Sequence, residues 1–413
     1  MIYTTHIDWT LGGIVMEEKK TWDLVSIASI PLVMTLGNSM LIPVLPAIEK
    51  ELNISALQVS MIITVYSVVA IICIPIAGYM SDRYGRKKII IPSLIIAGIG
   101  GLISGFASWQ IDDPYGIIIF GRLLQGLGAA GASPIVLPLV GDLFKQESEV
   151  SEGLGIIETS NTFGKVLSPI LGALLASWVW FMPFFAFPVF CTISIFLMIF
   201  LVKTPSKTGA PLAFKDFLHS IKRIFTNEGR WLYAIFLIGC ICMFVIFGVL
   251  FYLSTMLEEQ HGIDGVKKGI ILAIPLAALC LSSYITGKGI GEEKIKMKWM
   301  TVIGLGLLTI SIFSISFSKD IYVLLTALFA SGIGIGIALP SLDALVTEGI
   351  AKEQRGTITS IYSSMRFAGV ALGPPVFAVL MKASHFILFF TNTLVCIAAL
   401  LTALVAIKPT EDE

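Results

Sequence analysis

The stretch GYMSDRYGRKK, residues 78–88, sets Asp82, Arg83, Arg86, Lys87 and Lys88 in one patch between two long apolar runs. Such a patch makes sense as a short turn at a membrane surface if the flanking runs cross lipid, and composition says that they do. Of 413 residues, 56% are hydrophobic and only 14% charged, against roughly 25% charged in soluble domains, which excludes an aqueous globular protein. Runs of about 20 apolar residues, each enough to cross a hydrocarbon layer of roughly 30 Å, recur along nearly the whole chain. The chain is therefore polytopic.

Working outward from residues 78–88, apolar runs and breaks predict spans near 23–46, 57–80, 89–108, 115–141, 153–178, 181–202, 231–257, 267–288, 298–318, 321–347, 357–381 and 385–407. With the N-terminus inside, twenty of the 28 Lys and Arg fall in inner segments, five in outer loops, and Arg122, Lys165 and Arg366 within spans. The positive-inside rule then places both termini in the cytoplasm and the 78–88 turn on the inner side of a cell membrane. The six cysteines all lie in apolar runs as small hydrophobes, so no disulfide framework or metal pair is expected.

This topology divides the chain into a cytoplasmic, unstructured segment over 1–21, a six-helix bundle over 22–202, a linker over 203–230, a second six-helix bundle over 231–407 and a cytoplasmic tail over 408–413. Residues 1–15 match no pattern, whereas Met16-Glu-Glu-Lys-Lys-Thr-Trp reads as a cytoplasmic start, so translation is expected to begin at Met16. In the linker, FKDFLHSIKRIF (residues 214–225) sets Phe214, Phe217, Leu218, Ile221 and Phe225 at helical spacing opposite a basic face, which suits an amphipathic helix along the inner leaflet.

The two bundles repeat. Gly164 precedes Ser168-Pro169 in the fifth span as Gly369 precedes Gly373-Pro374 in the eleventh. Likewise Pro134 and Asp142 at the end of the fourth span match Pro340 and Glu348 at the end of the tenth. Parallel halves around a midplane site are how many secondary transporters are built. The expected fold is thus an all-α membrane protein of twelve transmembrane helices in two pseudo-symmetric six-helix bundles.

Within 78–88, Gly78, Asp82, Gly85, Arg86 and Lys87 resemble the loop signature G-x-x-x-D-R-x-G-R-K of the major facilitator superfamily. Its physics suits a gate: the glycines permit close contact and a tight turn, and Asp82 with Arg83, Arg86 and Lys87 can form ion pairs that exist in one conformation only. Asp142 and Glu348, at matching helix ends, are candidate partners. The equivalent loop of the second half, GKGIGEEKIKMK (287–298), lacks the Asp-Arg-x-Gly pattern. Arg122, Gln125, Gly126 and Gly128 look like the family's R-x-x-Q-G-x-G element, whose buried arginine the resemblance associates with proton coupling. Gly155, Gly164, Ser168, Pro169 and Gly172 are similar to the helix-packing pattern of drug/proton antiporters, with serine at 168 where glycine is usual, and LGNSMLIPVLPAIEKEL (36–52) resembles their first helix. Gly126-Leu-Gly-Ala-Ala-Gly131 matches a dinucleotide fingerprint, yet it lies inside a span with no strand before it, so that reading fails.

Charges inside spans face the interior, since exposure to lipid costs several kcal/mol. Glu158, Asn161 and Lys165 share one helix face; Asp343 and Arg366 on the tenth and eleventh spans can face the same cavity. No histidine lies deep in a span, so proton coupling falls to carboxylates, Glu158 first and Asp343 second, with Arg122. The substrate cavity is expected to include Asn38, Gln125, Asn161, Lys165, Arg366, Phe247 and Tyr252, with Met40, Tyr66, Met243 and Phe251 as further apolar candidates. The resemblance implies a proton-coupled exporter of a small organic compound working by alternating access. The run TWDLVSIASIPLVMTLGNSMLIPVLP is similar to siderophore exporters of that superfamily, of the kind that release catecholate bacillibactin. Broad multidrug efflux and proton-driven nutrient import on the same fold are the alternatives. The expected partners are the small-molecule substrate, protons and the lipid bilayer, with no nucleic acid, no cofactor and no metal, in a monomer that is not an enzyme.

Overall fold

A computed structural model describes residues 18–144, 147–202, 229–290, 293–348 and 352–407. The first span is α1 (Glu18–Ser39), a 3-10 turn (Ile42–Val44) and α2 (Leu45–Glu51). The second and third are α3 (Ala56–Tyr84) and α4 (Arg86–Gln110), and the fourth is α5 (Tyr115–Ala132) with α6 (Val136–Leu143). The fifth and sixth are α7 (Glu147–Ala176) and α8 (Met182–Phe200). The second half runs α9 (Arg230–His261), α10 (Gly265–Gly289), α11 (Lys294–Ile315), α12 (Ile321–Glu348), α13 (Lys352–Ala383) and α14 (His385–Ala406).

Among the described residues, eleven stretches are long and apolar enough to cross a membrane. The remaining span, α7, is as long as the rest, but Glu158, Asn161 and Lys165 interrupt its apolar run. Large side chains on the outer surface, such as Ile72, Phe200 and Ile285, are more than 60% exposed, as a lipid-facing surface requires. Glu18–Thr21, which the sequence assigns to an unstructured segment, instead form the first turn of α1. Residues 1–17, nearly all of the 203–230 linker and the 408–413 tail lie outside the described residues.

Local sequence explains where the helices stop. Ser55 caps α3 reciprocally with Gln58: the Ser55 hydroxyl accepts from the Gln58 N–H and the Gln58 amide oxygen accepts from the Ser55 N–H, satisfying donors that a helix start leaves bare. Pro43 and Pro46 bring no N–H to the ladder, and the first span passes through a 3-10 turn there. Gly85 alone separates α3 from α4, at φ +104° and ψ 142°, a conformation that side chains strongly disfavour.

Close packing rests on glycine. Gly100 on α4 and Gly121 on α5 face each other so tightly that a Cβ on either would lie 2.5–2.6 Å from the other's carbonyl oxygen. Gly304 on α11 and Gly334 on α12 repeat this crossing in the second half. Gly164 and Gly172 seat α7 on α1, against Leu32, Thr35 and the Met40 carbonyl, while Gly369 and Gly373 seat α13 on α9, against Cys240 and Phe244. The fingerprint-like glycines Gly126, Gly128 and Gly131 pack α5 on Tyr66 and Ser93. Gly155, expected in the packing motif, has nothing within 4 Å of its would-be Cβ and plays no such part. The Ser168 hydroxyl donates to the Gly164 carbonyl at 2.6 Å, so serine is satisfied where glycine is usual. The two six-helix bundles meet along α3 with α13 and α7 with α10.

Candidate functional site

Where the bundles meet, a cavity is lined from both halves. Pro31, Thr35 and Asn38 of α1, Tyr66 of α3, and Glu158, Asn161 and Lys165 of α7 form one wall; Met243 and Phe247 of α9, with Arg366 and Phe367 of α13, form the other. Tyr66 and Phe367 meet across the halves with ring centroids 6.3 Å apart. A smaller apolar space bounded by Ile42, Leu250, Leu272 and Leu276 continues beyond Lys165 and Phe247, toward the face opposite the 78–88 turn.

Four charges gather here. The Arg366 guanidinium lies 3.5 Å from Asp343 and 5.7 Å from the Tyr362 ring centroid. Asp343 also interacts electrostatically with Glu158 and Lys165. Asn161 links Glu158 to the first span: its amide nitrogen donates to the carboxylate at 3.3 and 3.4 Å, and its oxygen accepts from the Thr35 hydroxyl at 2.6 Å. Two carboxylates and two cations make the cluster formally neutral. Charges held in such a low-dielectric, cavity-lining position mark functional pathways in membranes.

Four expected cavity positions differ. Tyr252 is not on the cavity: its hydroxyl bonds His385 Nδ1 at 2.9 Å and its ring packs edge-on against Phe389. Carbonyl Ile315 accepts from His385 Nε2 at 2.7 Å, so Nδ1 of the neutral ring accepts the tyrosine proton. Met40 and Phe251 likewise lie outside the cavity lining. Gln125 is fully buried behind that lining, bound to Arg122. Arg122 itself is inaccessible, donating to the Ile62 carbonyl at 2.7 Å, the Gly37 carbonyl at 3.2 Å and Asn38 at 2.6 Å, with the Tyr66 ring 4.6 Å away. Neutral acceptors and a π face thus surround this cation, and only Asn38 and Tyr66 connect it to the cavity.

At the 78–88 turn, Arg86 holds Asp82 at 2.6 Å, Asp142 at 3.0 Å and the Ser81 hydroxyl at 2.7 Å, all within the first half. Lys87 donates to the Ile199 and Val202 carbonyls, closing the end of α8. Arg83 reaches Tyr79 at 3.3 Å, and Gly78 meets Ser360 of the second half only at ordinary contact distance. The Glu348 side chain lies outside the described residues.

The opposite face is tied across the halves by residues that sequence reasoning left among loop charges. Lys50 of α2 pairs with Glu258 of α9 at 2.9 Å, and Glu258 pairs again with Lys268 of α10 at 2.6 Å. Ser254 donates to the Ile42 carbonyl at 3.0 Å and Thr64 to the Ala371 carbonyl at 2.7 Å, both across the same seam. Their signal in sequence was only position, at the far ends of the first, seventh and eighth spans.

Comparison with known proteins agrees with this architecture. The family model described as Major Facilitator Superfamily matches residues 27–374 and 289–413. The chain is 57% identical over 394 residues to the bacillibactin exporter of Bacillus subtilis (strain 168), covering 95% of this chain and 98% of that one. It is 24% identical to multidrug resistance protein 2 of the same organism, covering 94% and 96%. Among solved structures it is similar, at TM-score 0.75 and 14% identity, to a bacterial homologue of the human lysosomal transporter Spinster in an inward-facing and occupied conformation, covering 95% and 97%.

Proposed function

The chain belongs to the major facilitator superfamily, and from that premise we propose that it exports a catecholate siderophore in exchange for protons by alternating access. The observation that carries the reading is the cavity in which Glu158, Lys165 and Arg366 converge beside aromatic walls, in a chain whose 57% identical relative is a bacillibactin exporter. A catecholate offers flat rings to Tyr66, Phe247 and Phe367, negative or carbonyl oxygens to Lys165 and Arg366, and hydroxyl donors to a carboxylate.

Exchange requires proton and substrate to compete. Cations alone would not achieve this, because protonating Glu158 makes the cavity more positive and favours an anion. Competition arises if the Glu158 carboxylate accepts either a catechol hydroxyl or a proton, so that loading one expels the other. Asp343 shares the proton-binding role with Glu158, and Arg122 holds Asn38 and Tyr66 at the cavity wall. Both termini lie in the cytoplasm, the 78–88 turn is the inner gate, and the protein acts as a monomer in the cell membrane. The 22–202 and 231–407 bundles rock about the cavity, and the Lys50–Glu258 tie closes the outer side in an inward-facing state.

The test is efflux of bacillibactin and of a cationic dye from proteoliposomes under an imposed pH gradient, with wild type and Glu158→Gln. Siderophore driven against its gradient by the wild type, and only equilibrated by the variant, supports both the exchange and the role of Glu158. Movement of dye alone replaces the siderophore reading with multidrug efflux, in a chain whose 24% identical relative is named for multidrug resistance. Normal coupling by Glu158→Gln removes the Glu158 assignment.

A further inference from the structure

Hydroxyls on these helices mostly close onto their own backbone: Thr162 donates to the Glu158 carbonyl, Thr309 to that of Leu305 and Thr393 to that of Phe389. Such bonds satisfy the hydroxyl at no distance from its helix. Thr35 departs from the pattern, sending its proton across to the Asn161 side chain on α7 at 2.6 Å. Gly164, one turn further on, lets α7 lie close enough for this, with its would-be Cβ 3.3 Å from the Thr35 Cβ.

A hydroxyl has one proton to give. Given to Asn161 Oδ1, it holds the oxygen end of the amide toward α1 and leaves Nδ2 toward Glu158, 3.3 and 3.4 Å from its two oxygens. A reversed amide would set its carbonyl against the carboxylate, two acceptors with no hydrogen between them. We propose that Thr35 is a positioning residue for proton exchange: its hydroxyl fixes the Asn161 amide so that the amide donates to Glu158. This rests on the reading of Glu158 as the proton carrier.

All three side chains line the cavity. Among the described residues, the titratable or charged groups that interact with Glu158 include Lys165 on the same helix, Asp343 on α12, Arg366 on α13 and the Cys280 thiol on α10. Against that fixed background, the two contacts from the Asn161 amide to the carboxylate are the ones that the amide's orientation makes or breaks. Taking up a proton removes the carboxylate's demand for that donor and leaves the Thr35 bond as what holds the amide, so Asn161 links the proton state of α7 to the first span.

The experiment follows the infrared band of the protonated Glu158 carboxyl, identified by its loss in Glu158→Gln, against pH in purified protein. Thr35→Val keeps the shape and removes the donor; Thr35→Ser keeps the donor and removes a methyl. The band is expected to persist to higher pH in Thr35→Val by about half a unit to one unit, the scale of weak hydrogen bonds to a charged group, and to return to the wild-type midpoint in Thr35→Ser. The pH profile of bacillibactin efflux moves the same way. A Thr35→Val band that titrates with the wild type, or a Thr35→Ser band displaced as far as that of Thr35→Val, overturns the inference while the Glu158 reading stands. If Glu158→Gln loses no band and couples normally, both fall together. The spectrum reads the carboxyl even in a variant that no longer transports.

Discussion

Arg122 shows how a single buried charge is held with no counter-charge among the described residues. Its partners are the Ile62 and Gly37 carbonyls, the Asn38 and Gln125 amides and the face of Tyr66, contributed by α1, α3 and α5 itself. A guanidinium can serve all of these at once because its donors lie in a planar fork, whereas an ammonium cannot. Arg122→Ala is expected to cost about 3 kcal/mol or more by orphaning these acceptors, and Arg122→Lys to recover only part of it. Thermal unfolding midpoints in detergent would check the order wild type, Lys, Ala. Much of the cavity's chemistry was legible at this scale: the three- and four-residue spacing of Glu158, Asn161 and Lys165 put them on one face, and all three line the cavity with Arg366. Tyr252 was not legible, because α9 is buried nearly all round and gives no periodic sign of which face meets a cavity; Gln125 was not, because a polar residue on the buried face of α5 can serve a neighbour such as Arg122 as readily as a cavity. Nothing local marks Thr35 either, since its partner stands on another helix.

At the level of elements, backbone approach sets what each position tolerates. The Gly304–Gly334 crossing brings α11 and α12 together with each residue against the other's carbonyl. Gly334→Leu should therefore force the helices apart and sharply reduce the amount of folded protein recovered from membranes. Gly306, two residues along the same helix with open space at its would-be Cβ, provides the contrast: Gly306→Leu is expected to stay within about 0.5 kcal/mol of wild type. The α3–α4 turn makes a different demand. Gly85→Ala places a side chain at φ +104°, at a cost of about 1–3 kcal/mol. This should reduce efflux more than unfolding midpoint if the turn must re-form its Arg86 contacts in each cycle. Hydropathy made the spans legible, and the Gly164 and Gly369 repeat pointed to matching helix pairs. The broken first and fourth spans were less so, because prolines occur inside many intact helices here, including Pro75, Pro92 and Pro275.

For the whole molecule, the decisive contacts are those across the seam, and these depend on how two separately legible bundles dock. Lys50 and Glu258 are 208 residues apart and read singly as loop charges; only docking makes them a tie. Lys50→Gln is expected to raise, about fivefold or less, the reactivity of a cysteine placed at Leu276 toward an impermeant thiol reagent added outside, in a background without the six native cysteines. The bound follows from the roughly 1 kcal/mol that a partly exposed pair contributes. Glu258→Gln should behave differently, lowering the unfolding midpoint as well, because it strands a lysine whose side chain is only 4% exposed. The arrangement is asymmetric in a useful way. Lys50, 60% exposed, departs with the first half when the seam parts, while Lys268 stays with Glu258 in the second. The sheltered carboxylate is thus never left alone, and the charge that loses its partner is the one already in water. Separation resembles unclasping a hand that still holds a second one: if the halves rock as proposed, the ionic part of what must be released is a weak surface contact, within reach of the binding energy of one small molecule.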